Sequence, residues 1–252
     1  MKTKSTIFRL GLLCLIFLTQ PDIVHAQKAL HVIIDFSGSV RGSGQIDQST
    51  LSHLRQELVN HFQASGDFAV ISFAYGNSAA ANNGKMYSLT LPKSKRSSRT
   101  SQQLQQVSQR GLLARLKQAL IDEIIADVKA VKSTAANRSE ILESLVTVRN
   151  SARNSTSLRV VIFGDMLENS QIRSLYNLRT AMQAEQWGKA DVQTLRNMYR
   201  LPDKLANRVK IQCYLPRGLS MDTRPGMKFV PNYWREIFRG FFFHTDVTFQ
   251  SI

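Results

Sequence analysis

Between Leu30 and Phe36 the chain reads LHVIIDF, an apolar run closed by an aspartate and followed closely by Gly38. A short continuous apolar run bounded by glycine predicts a strand buried on both faces. From Leu51 the period changes. Leu51, Leu54, Leu58 and Phe62 recur at three- and four-residue spacing, which predicts a helix to about Gln63. Gly66 and Asp67 break it, and FAVISFAY (Phe68 to Tyr75) returns to strand. MYSLTL (Met86 to Leu91), reached through the turn residues Asn82 to Gly84, predicts a shorter third strand. LLARLKQALIDEIIADVKAVK is helical, with an apolar stripe through Leu116, Leu120, Ile124 and Val128. The polar turn STAANRS leads to another helix from about Glu140 to Arg149. LRVVIFGD predicts a central strand, VKIQCYLP near Val209 a further one, YWREIFRGFFF a helix and DVTFQ a last strand. Strands alternating with helices, without internal repeat or linker, predict one α/β domain. Its expected form is a doubly wound, mostly parallel sheet flanked by helices, a three-layer sandwich.

The N-terminal segment follows a different logic. Lys2, Lys4 and Arg9 precede the apolar run LGLLCLIFL, and QPDIVHA places Val24 and Ala26 at minus three and minus one of a cleavage site. This predicts a Sec-type signal peptide over residues 1–26, cleaved after Ala26, with residues 27–252 as the exported domain. The apolar run falls short of the roughly 20 residues of a membrane-spanning helix. The alternative is a retained N-terminal anchor. Cys14 lacks the small neighbours of a lipid-attachment site. Beyond it the only cysteine is Cys213, inside an apolar segment, so it is read as a core residue and an internal disulfide is excluded. These features fit a bacterial protein of the periplasm or cell surface.

Charge adds a statement about partners rather than fold. With 33 Lys and Arg against 18 Asp and Glu, the formal net charge is +15. Such a surface favours acidic proteins, anionic lipid headgroups or nucleic acid. The most uneven stretch is PKSKRSSRTSQQLQQVSQRG, Pro92 to Gly111, where Lys93, Lys95, Arg96, Arg99 and Arg110 occur with no acidic residue. Its composition predicts a basic solvated loop over about 92–111, the Gln-rich end compatible with a short helix. If the basic surface were the function, Lys93, Lys95, Arg96 and Arg99 would track a polyanion such as lipopolysaccharide or nucleic acid. The stretch lacks aromatics on which bases could stack. The late aromatics Tyr233, Trp234, Phe238, Phe241, Phe242 and Phe243 are expected to face the sheet.

Three segments concentrate oxygen donors where strands or turns meet helices. They are Asp35-Phe36-Ser37-Gly38-Ser39 (D-x-S-x-S), Ser139 at the start of SEILESL, and Gly164-Asp165 after RVVIF. In a doubly wound sheet, the loops at the strands' carboxyl ends converge. Taken singly, Ser37, Ser39, Ser139 or Asp165 reads equally well as a helix cap. Taken together they resemble the von Willebrand factor A-type (vWA) domain with its metal-ion-dependent adhesion site (MIDAS). That family reads D-x-S-x-S after its first strand, a threonine opening a later helix, and an aspartate after the fourth strand. Asp35, Ser37 and Ser39 match the first element, Ser139 stands where the family usually has threonine, and Asp165 matches the aspartate. Gly164 departs from the family's usual Thr-Asp-Gly. The resemblance implies a vWA-like domain in which Ser37, Ser39 and Ser139 ligate Mg2+ or Mn2+ directly while Asp35 and Asp165 act mostly through water. The metal would then accept a carboxylate from an acidic protein partner as its sixth ligand. The implied function is metal-dependent protein–protein contact in an envelope, secretion or DNA-transfer assembly, without catalysis.

A phosphohydrolase resembling the haloacid dehalogenase superfamily is the rival with chemistry. It too places an aspartate after its first strand, and GDMLEN is similar to its later Gly-Asp motif. Its phosphatases need a second acid two residues after the nucleophile, where this chain has Ser37, and Asn169 replaces a further expected acid. No G-x-S-x-G elbow is present. The chain is therefore read as a binding protein and not an enzyme.

Overall fold

A computed structural model describes residues 28–35, 46–74, 84–92, 102–131, 139–153, 155–202, 206–215 and 226–252. The strands are β1 (Lys28–Asp35), β2 (Phe68–Ala74), β3 (Lys85–Ser88), β4 (Ser157–Phe163), β5 (Ala206–Leu215) and β6 (Phe242–Ser251). The helices are α1 (Gln48–His61), α2 (Gln102–Ala130), α3 (Ile141–Arg153), α4 (Ala181–Tyr199) and α5 (Val230–Phe241). Among the described residues they build one six-stranded sheet in the order β3-β2-β1-β4-β5-β6. Every pairing is parallel except β2 with β3. The expected doubly wound α/β architecture is the one found.

Successive residues of β1 serve opposite faces, which is why its run reads as continuously apolar. Leu30, Val32 and Ile34 pack with Leu54, Leu58 and Phe62 of the α1 region and with Ile121, Ile124, Ile125 and Val128 of α2. Ala29 and Ile33 join Leu145 and Val148 of α3, Val192 and Leu195 of α4, and Trp234 and Phe238 of α5. Each fully buried Leu or Ile contributes about 1.5–3 kcal/mol, so both helical layers are held on by the same strands. Cys213 lies in this core, 0% exposed. Asp47 starts α1 by accepting the Thr50 N–H at 2.8 Å.

The reading of α2 is refined, and two expectations need correction. Residues 102–111, the Gln-rich end read as compatible with a short helix, are helical and continuous with α2. Once Ile121, Ile124, Ile125 and Val128 anchor that helix, extension through Gln, Leu and Arg is cheap, and Gly111 opposes it by only about 1 kcal/mol. The predicted stripe of α2 packs on the core, with Ile124 and Val128 fully buried and Leu116 and Leu120 partly so. β3 stops at Ser88, and Leu89 instead donates its N–H to the Asp67 carbonyl at 3.0 Å. Phe243 is 60% exposed, because β6 begins at Phe242 and the strand period turns the next side chain outward. The other five late aromatics are buried as expected. Lys93, Lys95, Arg96, Arg99 and the proposed leader lie outside the described residues. Among the described residues no helix is long and apolar enough to cross a membrane.

Candidate functional site

β1 and β4 lie side by side, with Ile34 opposite Phe163, so Asp35 and Gly164 emerge together at the carboxyl end of the sheet. This is where the strand order changes direction, the place where α/β sheets bind ligands. The fit between the two is close. A Cβ on Gly164 would lie 2.5 Å from Asp35 Cβ and 3.2 Å from its Oδ2. Asp35 therefore occupies the space that any other residue at 164 would fill.

Ser139 reaches the same point from a segment 104 residues away. Its Oγ donates to Asp35 Oδ2 at 3.0 Å, and both residues are 1% exposed. The Ser139 carbonyl accepts the Asn169 N–H at 3.0 Å, so the loop after β4 grips the serine from its other side. Asp165, 6% exposed, stands directly after Gly164 and turns one oxygen back on its own loop, where Oδ1 accepts the Leu167 N–H at 2.9 Å. No helix follows it directly, so the reading of Asp165 as a helix cap is set aside. Met166 adopts the left-handed region at φ 60, a conformation that costs a non-glycine residue about 1–2 kcal/mol. Its carbonyl accepts the Trp234 indole N–H at 2.7 Å, which offsets part of that strain.

Glu168 was not anticipated from sequence. It is 0% exposed, and its Oε2 accepts the Leu142 N–H at 3.0 Å, capping the first turn of α3 from 26 residues away. Burial, with a further contribution from the Asp35 charge, pushes its carboxyl well above the usual carboxylate range. The Ser170 hydroxyl and the Leu142 and Ile141 amides pull the other way. No local signal marks Glu168, because a single acid in a polar loop reads as solvated until tertiary packing buries it. The far side of the loop is clamped by Arg173, whose Nε and Nη2 donate to Asp191 at 2.7 and 2.6 Å while the Tyr233 hydroxyl donates to the same carboxylate at 2.9 Å.

Of the residues singled out in the sequence, Asp35 and Ser139 are thus in contact, and Asp165 lies on the loop whose first residue packs against Asp35. Ser37 and Ser39 lie outside the described residues. The donor set fits a hard cation. Carboxylates and hydroxyls suit Mg2+ or Mn2+, whereas sulfur and imidazole, the ligands favoured by zinc, are absent from this set. Ser139 directs its one hydroxyl proton at Asp35, which leaves the oxygen lone pairs pointing elsewhere. Among the described residues no group of three or more His, Cys, Asp or Glu is placed to hold an ion.

A second polar cluster has a different character. His31, 0% exposed at mid-strand, meets the Ser151 hydroxyl through Nδ1 at 2.9 Å and the Ser72 and Thr147 hydroxyls through Nε2 at 2.9 and 3.1 Å. Burial holds its pKa down at about 3. The imidazole is sealed between the sheet and α3, with both nitrogens engaged.

The sequence matches no protein-family model and no curated protein. Among solved structures, the chain is similar to proximal thread matrix protein 1 from the mussel byssus, a structure with a zinc-occupied MIDAS motif. The identity is 12% and the TM-score 0.37, with 87% of this chain and 41% of that one covered. A likeness this loose carries no argument about metal, partner or role.

Proposed function

We propose that the chain is a vWA-like binding module whose sheet end holds Mg2+ or Mn2+ and presents it to a carboxylate of an acidic protein partner. One observation carries this reading: Ser139 and Asp35, 104 residues apart, meet in a buried hydrogen bond at the switch point of the sheet. Ser139, with Ser37 and Ser39, would hold the ion through neutral oxygens, and Asp35 and Asp165 would anchor its waters. When bound, the metal supplies an electrophile for an incoming carboxylate. Asp35 takes the Ser139 proton and thereby points the serine lone pairs away from itself, while Gly164 leaves room for that carboxylate. The formal charge of +15 suits a partner rich in Asp and Glu. We place the module outside the cytoplasm, in an envelope, secretion or DNA-transfer assembly, and assign it no catalysis.

Titration calorimetry with magnesium and manganese, run on the wild type and on Asp35→Ala, tests this. The expected result is saturable binding in the wild type and none in a variant that keeps its far-ultraviolet circular dichroism and thermal midpoint. A wild type that binds neither metal, even with an acidic peptide present to complete the shell, would overturn the reading.

A further inference from the structure

The opposite rim of the sheet carries a second cleft. β1, β4 and β5 are parallel, so their first residues share an edge that lies about 23 Å from Asp35, at ~3.3 Å per residue along β1. A cavity of about 470 Å³ opens there, within the roughly 300–1,000 Å³ usual for small-molecule sites. It is lined by Lys28 of β1, Ser157 and Arg159 of β4, Lys210 of β5, and Asn60 and His61 of α1. Three of these are permanent cations and His61 can become a fourth.

The acids around the cleft are few, and one of them already balances a lining cation. Glu57, 4% exposed, pairs with Arg159 at 2.7 Å and accepts the Tyr214 hydroxyl at 2.6 Å, and the Arg159 side chain stays 36% exposed. The Asp67 carboxylate receives the Gln63 and Ala64 amides, both at 2.8 Å. Asp246 stands in register with Lys210 on the neighbouring strand. His61 Nε2 lies 2.9 Å from the Phe68 carbonyl, which only accepts, so Nε2 carries the proton and Nδ1 is left to take up another. Burial lowers its pKa most, and the charges of Lys28 and Arg159 lower it further, against the Phe68 carbonyl and Asp67.

We propose that this cleft binds a phosphate group, with Lys28 and Lys210 meeting its charge beside the Glu57-paired Arg159 and with Asn60 and Ser157 donating hydrogen bonds to its oxygens. The donors converge from four elements, an arrangement that a tetrahedral, multiply charged oxyanion uses more fully than a planar carboxylate. The site is independent of the sheet-end cluster.

The test is calorimetry of the purified chain with sodium pyrophosphate, in EDTA and at constant ionic strength. Alongside it runs co-sedimentation with phosphatidylcholine vesicles with and without phosphatidic acid. Lys28 and Lys210 are exposed, so Lys28→Gln/Lys210→Gln should fold normally. That pair is expected to weaken binding by roughly tenfold or more. Arg110→Gln/Arg115→Gln on the exposed face of α2, and Asp35→Ala, should leave it within about twofold. Pyrophosphate binding alone identifies a soluble phosphate-bearing ligand, and sedimentation only with phosphatidic acid identifies a lipid headgroup. Absence of saturable binding to either probe overturns the proposal. Equal losses in the two basic pairs do so too, since they would mark diffuse attraction by net charge.

Discussion

Gly164 is the residue on which the candidate site turns. Any side chain there meets Asp35 at 2.5 Å, and neither β1 nor β4 can move without breaking the central pairing. Gly164→Ala should therefore displace the Asp35 carboxylate, abolish the metal binding proposed above and destabilise the fold by about 1–3 kcal/mol. Denaturant unfolding and metal calorimetry on one preparation check both effects, and an alanine variant with unchanged affinity would show that the contact is slack. His31 sets a different kind of limit. Folded, it takes up a proton only near pH 3, against an ordinary value of 6.5. The unfolded chain binds that proton first, so acid favours unfolding. His31 adds stability above about pH 6.5 that drains away as pH falls towards 3, by up to about 1.4 kcal/mol per pH unit. In His31→Gln, which keeps a hydrogen-bonding side chain without the titration, the thermal midpoint should fall less steeply between those pH values than in the wild type.

At the scale of elements, α3 and the loop between β4 and α4 form one unit. Glu168 caps α3, Asn169 holds the Ser139 carbonyl, and the indole of α5 holds Met166. Behind them Arg173, Asp191 and Tyr233 tie the loop to α4 and α5. Asp191 is 2% exposed, so its removal leaves a guanidinium and a phenol without their shared acceptor. Asp191→Ala should lower stability by about 3–5 kcal/mol and strip hydrogen-exchange protection from residues 166–178. If stability falls while that loop keeps its protection, the clamp does not position the site. Close approach of α4 to α5 depends on small residues: a Cβ on Gly188 would lie 2.9 Å from the Tyr233 carbonyl, and one on Gly240 2.4 Å from a Val192 methyl. These contacts hold α5, and with it Trp234, against the loop.

For the whole molecule, the parallel sheet separates two chemistries. Its carboxyl rim gathers buried carboxyls and hydroxyls at Asp35, Ser139, Asp165 and Glu168, while its amino rim gathers Lys28, Arg159 and Lys210. Metal binding and anion binding would then be carried by opposite ends of the same strands, over a core they share. Asp35→Ala should accordingly leave the cleft intact, and Lys28→Gln/Lys210→Gln should leave metal affinity intact.

The sequence alone determined the strands and their order of appearance. LHVIIDF and LRVVIF are continuous apolar runs because both faces of a central strand are covered, and that requirement is written locally. It also marked Asp35, Ser139 and Asp165, since oxygen donors at element ends stand out against apolar neighbours. What lacks a local signature was decided by packing. α4 has a weak local signature because Gly188, which admits α5, and Asp191, which holds Arg173, interrupt the buried stripe of Ala184, Val192 and Leu195. Residues 102–111 joined α2 because a helix anchored further along extends cheaply into polar sequence. Glu168 and the basic cleft are products of convergence, since burial of a lone acid and the meeting of β1, β4, β5 and α1 at one rim depend on contacts between segments remote in sequence.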